Sequence, residues 1–411
     1  MSMENVPDRP QVTITVNGPG EVACWLQPLV AELRKRRPRV RICVAVVPCV
    51  YSTGLEYRLI KSYPEIDAVC SARETLSLIL FDRLPAGFAR KAPGGVLHLG
   101  GESVLSLLLA RRLGQPCLAY VEKSITLQSL YAAVYYSGTW ADARAAKRNG
   151  DRVIGDMMID AALMHCPHRR PDRAGRHAVG LYPGSRDYLA KFVLPFYGAV
   201  AEQINALRTD VDWLLAKSDF LVGDFLRAIP DVNDGRPIEG VNLAWQSAAG
   251  REYLVTPAGA RIEILNHGAV AARASLAVTL PGSNTAELAA LGIPMVVTIP
   301  SWNSELIPWP GLAGHVGRIP FIGKYIKRAV GHMIYWSMGY AAHPNRRGKR
   351  MVVPELFGHI RTGQVADLVR TMLDADLGPL EEELRAVMGP PGAAGRLVAE
   401  LGALMEENRG L

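Results

Sequence analysis

The sequence lacks the segments that mark several classes of protein. No run of 18 uninterrupted apolar residues occurs among its 411 residues, so we expect no transmembrane helix. The opening MSMENVPDRP is polar and acidic, without a basic stretch followed by an apolar one, so we expect no signal peptide and a cytoplasmic location. The six cysteines form no CxxC pair and no Cys/His ligand spacing, which favours reduced thiols.

Motifs for common cofactors and for metals are also missing. There is no complete G-x-G-x-x-G or Walker A pattern, which argues against a dinucleotide enzyme or a P-loop ATPase. Asp210 and Asp212 precede a predicted strand, at the edge opposite the expected ligand, and Asp374 and Asp376 end a predicted helix. We therefore predict that the protein uses no cofactor and no metal.

The composition is that of an ordinary globular chain with a mild basic excess. Hydrophobic residues make up 49% and charged residues 21%, and 46 Lys and Arg against 39 Asp and Glu give a net charge of +7. This excess fits an anionic partner such as a nucleotide, a phosphorylated substrate or a membrane surface. It does not by itself indicate nucleic-acid binding.

Two series of alternating strands and helices organise the chain. Each opens with a strand and a glycine-containing turn before a helix. In the first series no hairpin signal such as Asn-Gly interrupts the alternation, so a parallel sheet is favoured there. The sequence predicts an α/β protein with two tandem Rossmann-like domains facing across a cleft. The predicted limits are 1–167 for the N-terminal acceptor domain, 168–177 for a linker rich in Pro and Arg, 178–388 for the C-terminal domain, and 389–411 for a last helix that could pack back on the N-terminal domain.

The most informative turn, Pro281–Thr285, lies between a buried strand and a helix. Ligands of open α/β sheets bind at the carboxyl ends of strands, where a helix N-terminus offers N–H groups to an anion. Gly282, Ser283, Asn284 and Thr285 would bind a phosphate there, and Glu287 could accept hydrogen bonds from a ribose diol. Alternatively, Asn284 and Glu287 have the spacing of a capping box.

A second turn of this kind, LYPGSR, follows the first strand of the C-terminal domain. Gly184 lets the backbone approach a ligand, Ser185 adds a hydroxyl, and Arg186 suits a phosphate. Alternatively, it is an ordinary turn with a surface arginine. We expect both turns at the same edge of one sheet, where one could hold a diphosphate and the other its nucleoside.

Two further segments are candidates for binding. The loop NGPGE contains Gly18, Gly20 and Glu21 in the first βα turn of the N-terminal domain, although a glycine loop also occurs for packing alone. The segment Trp302–Tyr340 interleaves aromatic and basic residues, a pattern that suits a membrane interface or a lipid-bearing substrate. Alternatively, its aromatic residues are partly buried core.

As an ensemble these motifs resemble lipid-A-disaccharide synthase, a glycosyltransferase family of the GT-B type. The matching pieces are Gly20-Glu21, PGSR, SNTAE followed by GIPMVV, and the segment 343–356, HPNRRGKRMVVPEL. The resemblance implies an inverting, metal-independent transfer of an acylated glucosamine-type sugar from UDP to a lipid-linked sugar acceptor. It also implies peripheral attachment to the inner face of the cell membrane, and it leaves a homodimer open.

The resemblance also implies roles for individual residues. Arg186, Asn345, Glu287, Ser283 and Thr285 would contact the UDP-sugar, and Arg186 would also stabilise charge on the leaving diphosphate. Glu355 could contact the ribose or fix its loop.

The chain departs from this family in its first domain. Trp25 stands where the family has an aspartate, and HLGGESVL replaces the family segment with the presumed base. Glu102 is therefore our preferred catalytic base, with His98 and Glu21 as alternatives. Two other functions stay open: a UDP-GlcNAc 2-epimerase-like enzyme, and a non-catalytic nucleotide- or lipid-binding homologue.

Overall fold

The computed structural model describes residues 9–48, 54–138, 152–169, 175–221, 224–229, 239–300 and 339–407. The chain divides into two compact units. The first unit comprises Met1–Ala161 and Pro390–Leu411, and the second comprises Ala162–Gly389. Most of the aromatic and basic segment predicted from the sequence, residues 302–338, lies outside the described residues.

The first unit is built on a parallel sheet with helices on both faces. Its strands are β1 (Gln11–Val16), β2 (Arg41–Val46), β3 (Ala68–Cys70), β4 (Gly94–His98), β5 (Cys117–Val121), β6 (Ala133–Tyr136) and β7 (Arg152–Val153). The α-helices that the structure describes before residue 166 are α1 (Pro19–Glu21), α2 (Gln27–Arg36), α3 (Glu56–Lys61), α4 (Ala72–Phe81), α5 (Ser103–Leu113) and α6 (Met157–His165). A π-helical turn, Val22–Leu26, joins α1 to α2.

The strand order of this sheet is β3-β2-β1-β4-β5-β6-β7, with every pair parallel. All six residues of β1 are buried, as expected for a strand covered on both faces. From β1 the chain first winds outward through β2 and β3, and then crosses to β4 on the other side of β1. The carboxyl ends of β1 and β4 therefore form a topological switch point, where ligands of such sheets bind.

The second unit contains the remaining strands and most of the remaining helices. Its strands are β8 (His177–Tyr182), β9 (Val211–Lys217), β10 (Ala244–Ala248), β11 (Arg251–Val255), β12 (Arg261–Asn266), β13 (Leu276–Thr279), β14 (Met295–Pro300) and β15 (Glu355–Gly358). Its helices are α7 (Asp187–Asn205), α8 (His267–Arg273), α9 (Ser283–Ala290), α10 (His343–Gly348), α11 (Thr362–Leu373) and α12 (Gly378–Met388).

The sheet of the second unit has the order β10-β11-β12-β9-β8-β13-β14-β15. The six strands from β12 to β15 along this order are parallel and repeat the topology of the first sheet, with β8 and β13 at the switch point. A core cluster that includes Trp213, Phe196 and Tyr197 packs against this sheet. Two Rossmann-like halves in tandem, as predicted from the sequence, are confirmed.

One part of the second unit adds to the Rossmann-like pattern that the sequence predicts. Strands β10, β11 and β12 form an antiparallel meander. Its first turn is made by Ala249 and Gly250, both with positive φ (51° and 74°). A two-residue turn with two positive φ angles matches the twist of a hairpin, and here it forms without the Asn-Gly signal.

The last helix, α13 (Ala393–Glu407), belongs to the first unit. It packs against α2 and β4 and buries Leu397, Val398 and Leu401. Asp160 accepts a hydrogen bond from the Ala394 N–H (2.7 Å) at the start of this helix. Within the described ranges, no helix is long and apolar enough to span a bilayer.

Candidate nucleotide-binding site

The two polar turns predicted from the sequence are neighbours in the second unit. Tyr182 and Thr279, the last residues of β8 and β13, are paired in register, and the Leu280 N–H donates to the Tyr182 carbonyl (3.2 Å). The turns that follow these strands, Pro183–Arg186 and Pro281–Thr285, therefore leave the same edge of the sheet at its switch point. The prediction that they share one edge is confirmed.

The N-terminus of α9 is built to present backbone N–H groups. Gly282 precedes the helix with φ 147° and ψ −166°, a conformation that only glycine adopts readily, and no side chain of the described residues caps the first turn. Ser283 and Asn284 are half-buried. Thr285 is buried; its hydroxyl donates to the Gly282 carbonyl (2.8 Å) and accepts from the His343 N–H (3.0 Å). The positive end of the helix dipole and its N–H groups thus favour an anion at this turn.

The capping-box alternative for this helix is wrong. In a capping box the Asn284 side chain would accept from the backbone near Glu287, and Glu287 would reach back to the cap. Instead the helix begins at Ser283 with Gly282 as its cap, and Glu287 points to histidines elsewhere in the unit.

The other end of α9 is held by a cation that sequence reasoning missed. Arg169 donates from Nη1 to the carbonyls of Leu291 and Gly292 (both 3.1 Å), and from Nη2 to the Ala274 carbonyl (2.7 Å). Burial lowers the pKa of this guanidinium. A cation at the C-terminus of a helix complements its dipole, so Arg169 also fixes the helix that carries the N–H groups.

The PGSR turn places a conformationally special glycine next to an arginine. Gly184 has φ 87°, in the left-handed region that favours glycine. Ser185 and Arg186 are half-buried, and Arg186 directly precedes α7 as its cap residue. Its guanidinium is a planar fork of donors that matches phosphate oxygens.

Glu287 is the centre of a buried polar cluster. Its Oε2 lies 3.2 Å from His165 Nδ1 and 3.3 Å from His267 Nε2, and the carboxylate side chain is 4% exposed. Burial opposes the charge on Glu287, but the two histidines outweigh it and hold the pKa of the carboxyl well below its usual range. Burial likewise opposes protonation of His267, yet Glu287 raises its pKa. The His267 ring also packs edge-on against Tyr182, 5.3 Å between centroids.

Asn345 and Glu355 are used inside the fold. Asn345 is fully buried; its Oδ1 accepts from the N–H groups of Val352 and Val353 (2.7 and 2.8 Å), and its Nδ2 donates to Glu355 Oε1 (2.7 Å). Glu355 also accepts from the Ala342 N–H (2.8 Å). These bonds fix the loop around α10, which does not favour the direct UDP-sugar contact that the resemblance implies for Asn345. For Glu355 they support the loop-fixing alternative.

The glycine loop of the first unit also lies at a switch point. Gly18 caps α1, and a Cβ on Gly100 would come within 2.8 Å of Glu21 Cγ and 3.0 Å of Asn17 Oδ1. The loops after β1 and β4 are therefore in close contact, with Gly20 half-buried on the first of them.

The three candidate bases of the first unit differ in access to solvent. Glu102 is exposed as the cap residue of α5, whereas Glu21 is half-buried. His98 is buried, its Nδ1 lies 2.8 Å from Ser106 Oγ, and burial lowers its pKa to about 4. Trp25, in the place of the family's aspartate, is buried edge-on against Tyr120, 5.5 Å between ring centroids.

Comparisons with known proteins bear on the fold. No protein-family model matches the chain, and no curated protein matches its sequence. Among solved structures it is similar to MurG from Acinetobacter baumannii, with 14% identity over 96% of this chain and 99% of that one and a TM-score of 0.51. It is also similar to a putative UDP-N-acetylglucosamine 2-epimerase from Listeria monocytogenes, with 13% identity over 97% of each chain and a TM-score of 0.54.

A third similar structure is the UDP-GlcNAc 2-epimerase of Methanocaldococcus jannaschii in complex with UDP-GlcNAc and UDP. It shares 11% identity over 96% of this chain and 99% of that one, with a TM-score of 0.51. At such identities the likeness concerns architecture. The fold is of the GT-B type.

On this GT-B fold, the second unit brings together most of the predicted donor-site residues. Gly184, Ser185 and Arg186 lie on one turn, and residues 282–287 lie on the neighbouring turn and helix. His165, His267 and Arg169 were missed, because their partners are 122, 20 and 122 residues away in the sequence. Three of the four aspartates judged unsuitable for a metal form ion pairs: Asp210 and Asp374 with Arg208, and Asp212 with Arg176.

Proposed function

We propose that this chain is a UDP-sugar-dependent glycosyltransferase. The proposal rests on one observation. The turns Pro183–Arg186 and Pro281–Thr285 lie next to each other at the switch point of the second sheet. One turn offers a guanidinium and the other the N-terminus of a helix that begins after a glycine, which together suit a pyrophosphate. GT-B neighbours that include a complex with UDP support a nucleotide sugar as the ligand.

In this proposal the donor is bound without a cation. Arg186 and the N–H groups at Gly282, Ser283 and Asn284 stabilise the negative charge that develops on the diphosphate as the sugar leaves. Glu287 accepts hydrogen bonds from the ribose hydroxyls. Thr285 orients the turn through its bonds to Gly282 and His343.

Asn345 and Glu355 are assigned a positioning role in the proposed donor site. They hold the loop around α10, and the His343 N–H at the start of that helix bonds Thr285. The phosphate-binding helix and this loop are therefore tied together, so that displacing the loop would misplace Thr285.

The transfer itself follows from the resemblance to lipid-A-disaccharide synthase. The acceptor hydroxyl oxygen attacks the anomeric carbon, the bond from that carbon to the diphosphate oxygen breaks, and the configuration inverts. The hydroxyl proton goes to a base of the first unit, for which we propose Glu102 because it is an exposed carboxylate beside a switch point. Gly18, Gly20 and Glu21, on the adjacent loop, would shape the acceptor site.

A lipid-linked acceptor is supported by the apolar side chains exposed on α4, on α5 and on the loops after α4 and β5 of the first unit, which we call together the α4–α5 patch. Helices α4 and α5 pack on the same core, and α5 contacts the loop after β5 through the bond from Ser103 Oγ to the Thr126 carbonyl (3.2 Å). The patch consists of the exposed apolar residues Leu80, Phe81, Leu84, Val104, Leu108, Leu127 and Leu130. The exposed basic residues Arg83, Arg111, Arg112 and Lys123 accompany it and suit anionic lipid headgroups.

The test is to incubate the protein with UDP-sugars, with and without a membrane lipid extract, and to measure UDP release and products. UDP release that requires lipid, together with a glycosylated lipid, supports transfer. The matched variants are Arg186→Ala, which should lose turnover, and Arg176→Ala, which removes an exposed arginine paired with Asp212 and should keep it. Full turnover in Arg186→Ala contradicts the assignment.

A UDP-GlcNAc 2-epimerase is the second candidate, because two of the similar structures described above carry that activity in their names. It predicts conversion of UDP-GlcNAc to its 2-epimer without any lipid. UDP binding with neither product would indicate a non-catalytic binding protein.

A further inference from the structure

The cluster around Glu287 contains two histidines to which the proposed reaction has so far given no part. His165 ends α6, His267 begins α8, and Glu287 lies one turn into α9, so three separate helices converge on one carboxylate oxygen. A carboxylate that is ionised only accepts hydrogen bonds. The nitrogens that face it, His165 Nδ1 and His267 Nε2, must therefore carry protons.

This arrangement fixes the carboxylate in space. A glutamate side chain has three rotatable bonds, and burial beside two N–H donors on separate helices restricts all of them. Both imidazoles bind at Oε2 of the carboxylate. In the proposed function this fixed carboxylate is the acceptor for the ribose diol.

The cluster lies beside the proposed nucleotide-binding turns. Tyr182, which packs edge-on against His267, is the last residue of β8 and directly precedes Pro183 of the PGSR turn. Glu287 belongs to the helix whose N-terminus forms the other turn. The histidines therefore hold Glu287, the one carboxylate of this helix, in a position close to the proposed diphosphate site.

We propose that His165 and His267 are positioning residues that hold Glu287 for recognition of the ribose hydroxyls of the nucleotide. This inference rests on the proposed function, because it assumes a uridine nucleotide at this site. Neither histidine touches the sugar being transferred; each acts through Glu287. Loss of either N–H donor should weaken the preference for a nucleotide with ribose hydroxyls and leave the diphosphate contacts in place.

The ring geometry supplies conservative variants with opposite expected results. His165 bonds through Nδ1, a position that the asparagine amide reproduces, so His165→Asn should keep the donor and His165→Ala should lose it. His267 bonds through Nε2, which the longer glutamine amide reproduces, so His267→Gln should keep the donor and His267→Asn should not. His177→Asn is the matched control, because His177 pairs with Asp210 at the opposite end of β8.

The experiment compares the affinities of the full-length protein for UDP and for 2′,3′-dideoxy-UDP by titration calorimetry. Hydrogen bonds from a diol to a charged acceptor predict that the wild type prefers UDP by about 10- to 100-fold. This ratio should fall to nearly one in Glu287→Gln, His165→Ala and His267→Asn, and should stay high in His165→Asn, His267→Gln and His177→Asn. Thermal unfolding of each variant identifies those that are folded, and only these are compared.

The outcomes separate the inference from the function on which it rests. If the wild type binds neither nucleotide, the proposed function and the inference are both overturned. If UDP binds and the ratio is unchanged in His165→Ala and His267→Asn, or falls equally in the donor-keeping pair His165→Asn and His267→Gln, the positioning role is overturned and the nucleotide site stands.

Discussion

Asn345 donates from Nδ2 to Oε1 of Glu355 over 2.7 Å, and both side chains are buried. Asn345→Ala would leave the Val352 and Val353 N–H groups without their side-chain acceptor. An unsatisfied buried polar group costs about 1–3 kcal/mol, so we expect the free energy of unfolding to fall by about 2–4 kcal/mol. Urea denaturation measures this change.

The matched control for that variant is Asn284→Ala. Asn284 is half-buried in the proposed phosphate-binding turn. We expect its unfolding free energy to stay within about 0.5 kcal/mol of the wild type, whereas its affinity for UDP falls. A stable Asn345→Ala protein would contradict the structural role of that amide.

Removal of the Arg186 guanidinium should slow the chemical step of the reaction. Loss of one preorganised donor to a developing anion costs about 10²–10³ in kcat in other enzymes, and we expect a decrease of that order for Arg186→Ala. The Lys variant keeps the charge without the planar fork and should be intermediate. Steady-state rates of UDP release measure the effect, and equal rates in all three proteins would rule out a role for this side chain.

Gly282 is expected to be sensitive to substitution because of its backbone conformation. A Cβ at this position meets no atom within 4 Å, but φ 147° with ψ −166° is essentially restricted to glycine. Gly282→Ala should therefore cost about 1–3 kcal/mol or shift the start of α9, and weaken UDP binding. Gly250→Ala, in the turn between β10 and β11, strains a positive φ of 74° and should leave UDP affinity unchanged. Equal effects of the two variants on UDP affinity would contradict this prediction.

The Glu287 cluster predicts a defined pH dependence of stability. The pKa of Glu287 is lowered from its ordinary 4.5, so its contribution is present above that value and is lost as the pH falls. The pKa of His267 is raised from 6.5, so its contribution is complete below 6.5 and is lost as the pH rises through the higher value. Among the described residues, the titratable groups that face the pair are His165, beside Glu287, Asp219, which raises the pKa of His267, and Tyr182, which packs against His267.

The stability lost in Glu287→Gln should therefore be largest between pH 4.5 and 6.5 and smaller at about pH 9. Urea denaturation of both proteins across this range measures the difference. A loss that is the same at every pH would show that the ion pair does not titrate as expected.

The α4–α5 patch should bind anionic membranes. Burial of a leucine or phenylalanine side chain contributes about 1.5–3 kcal/mol, so Phe81→Asp with Leu108→Asp should reduce binding to anionic phospholipid vesicles by at least about 10-fold. Leu207→Asp is the control, since Leu207 is 74% exposed on the second unit. Co-sedimentation with vesicles measures binding, and an unchanged double variant would remove this surface from the proposal.

The sequence allowed prediction of those features that depend on neighbours along the chain. Buried apolar strands such as β1 and β13, each followed by a glycine turn, were sufficient to predict both Rossmann-like halves and the two turns at one sheet edge. The antiparallel β10–β12 extension was missed because Ala249-Gly250 is a weak hairpin signal. The partners of Glu287 were missed because contacts over 122 and 20 residues leave no local spacing pattern.

The return of α13 to the first unit has a consequence for dissecting the protein. The polypeptide enters the second unit after Ala161 and leaves it after Gly389, so that unit is one contiguous insertion within the other. Residues 162–389 form one contiguous fragment, whereas its counterpart needs residues 1–161 fused to 390–411. A stop codon ahead of Pro390 would delete the apolar face that covers α2 and β4, and so would damage the first unit although the cut lies after the second.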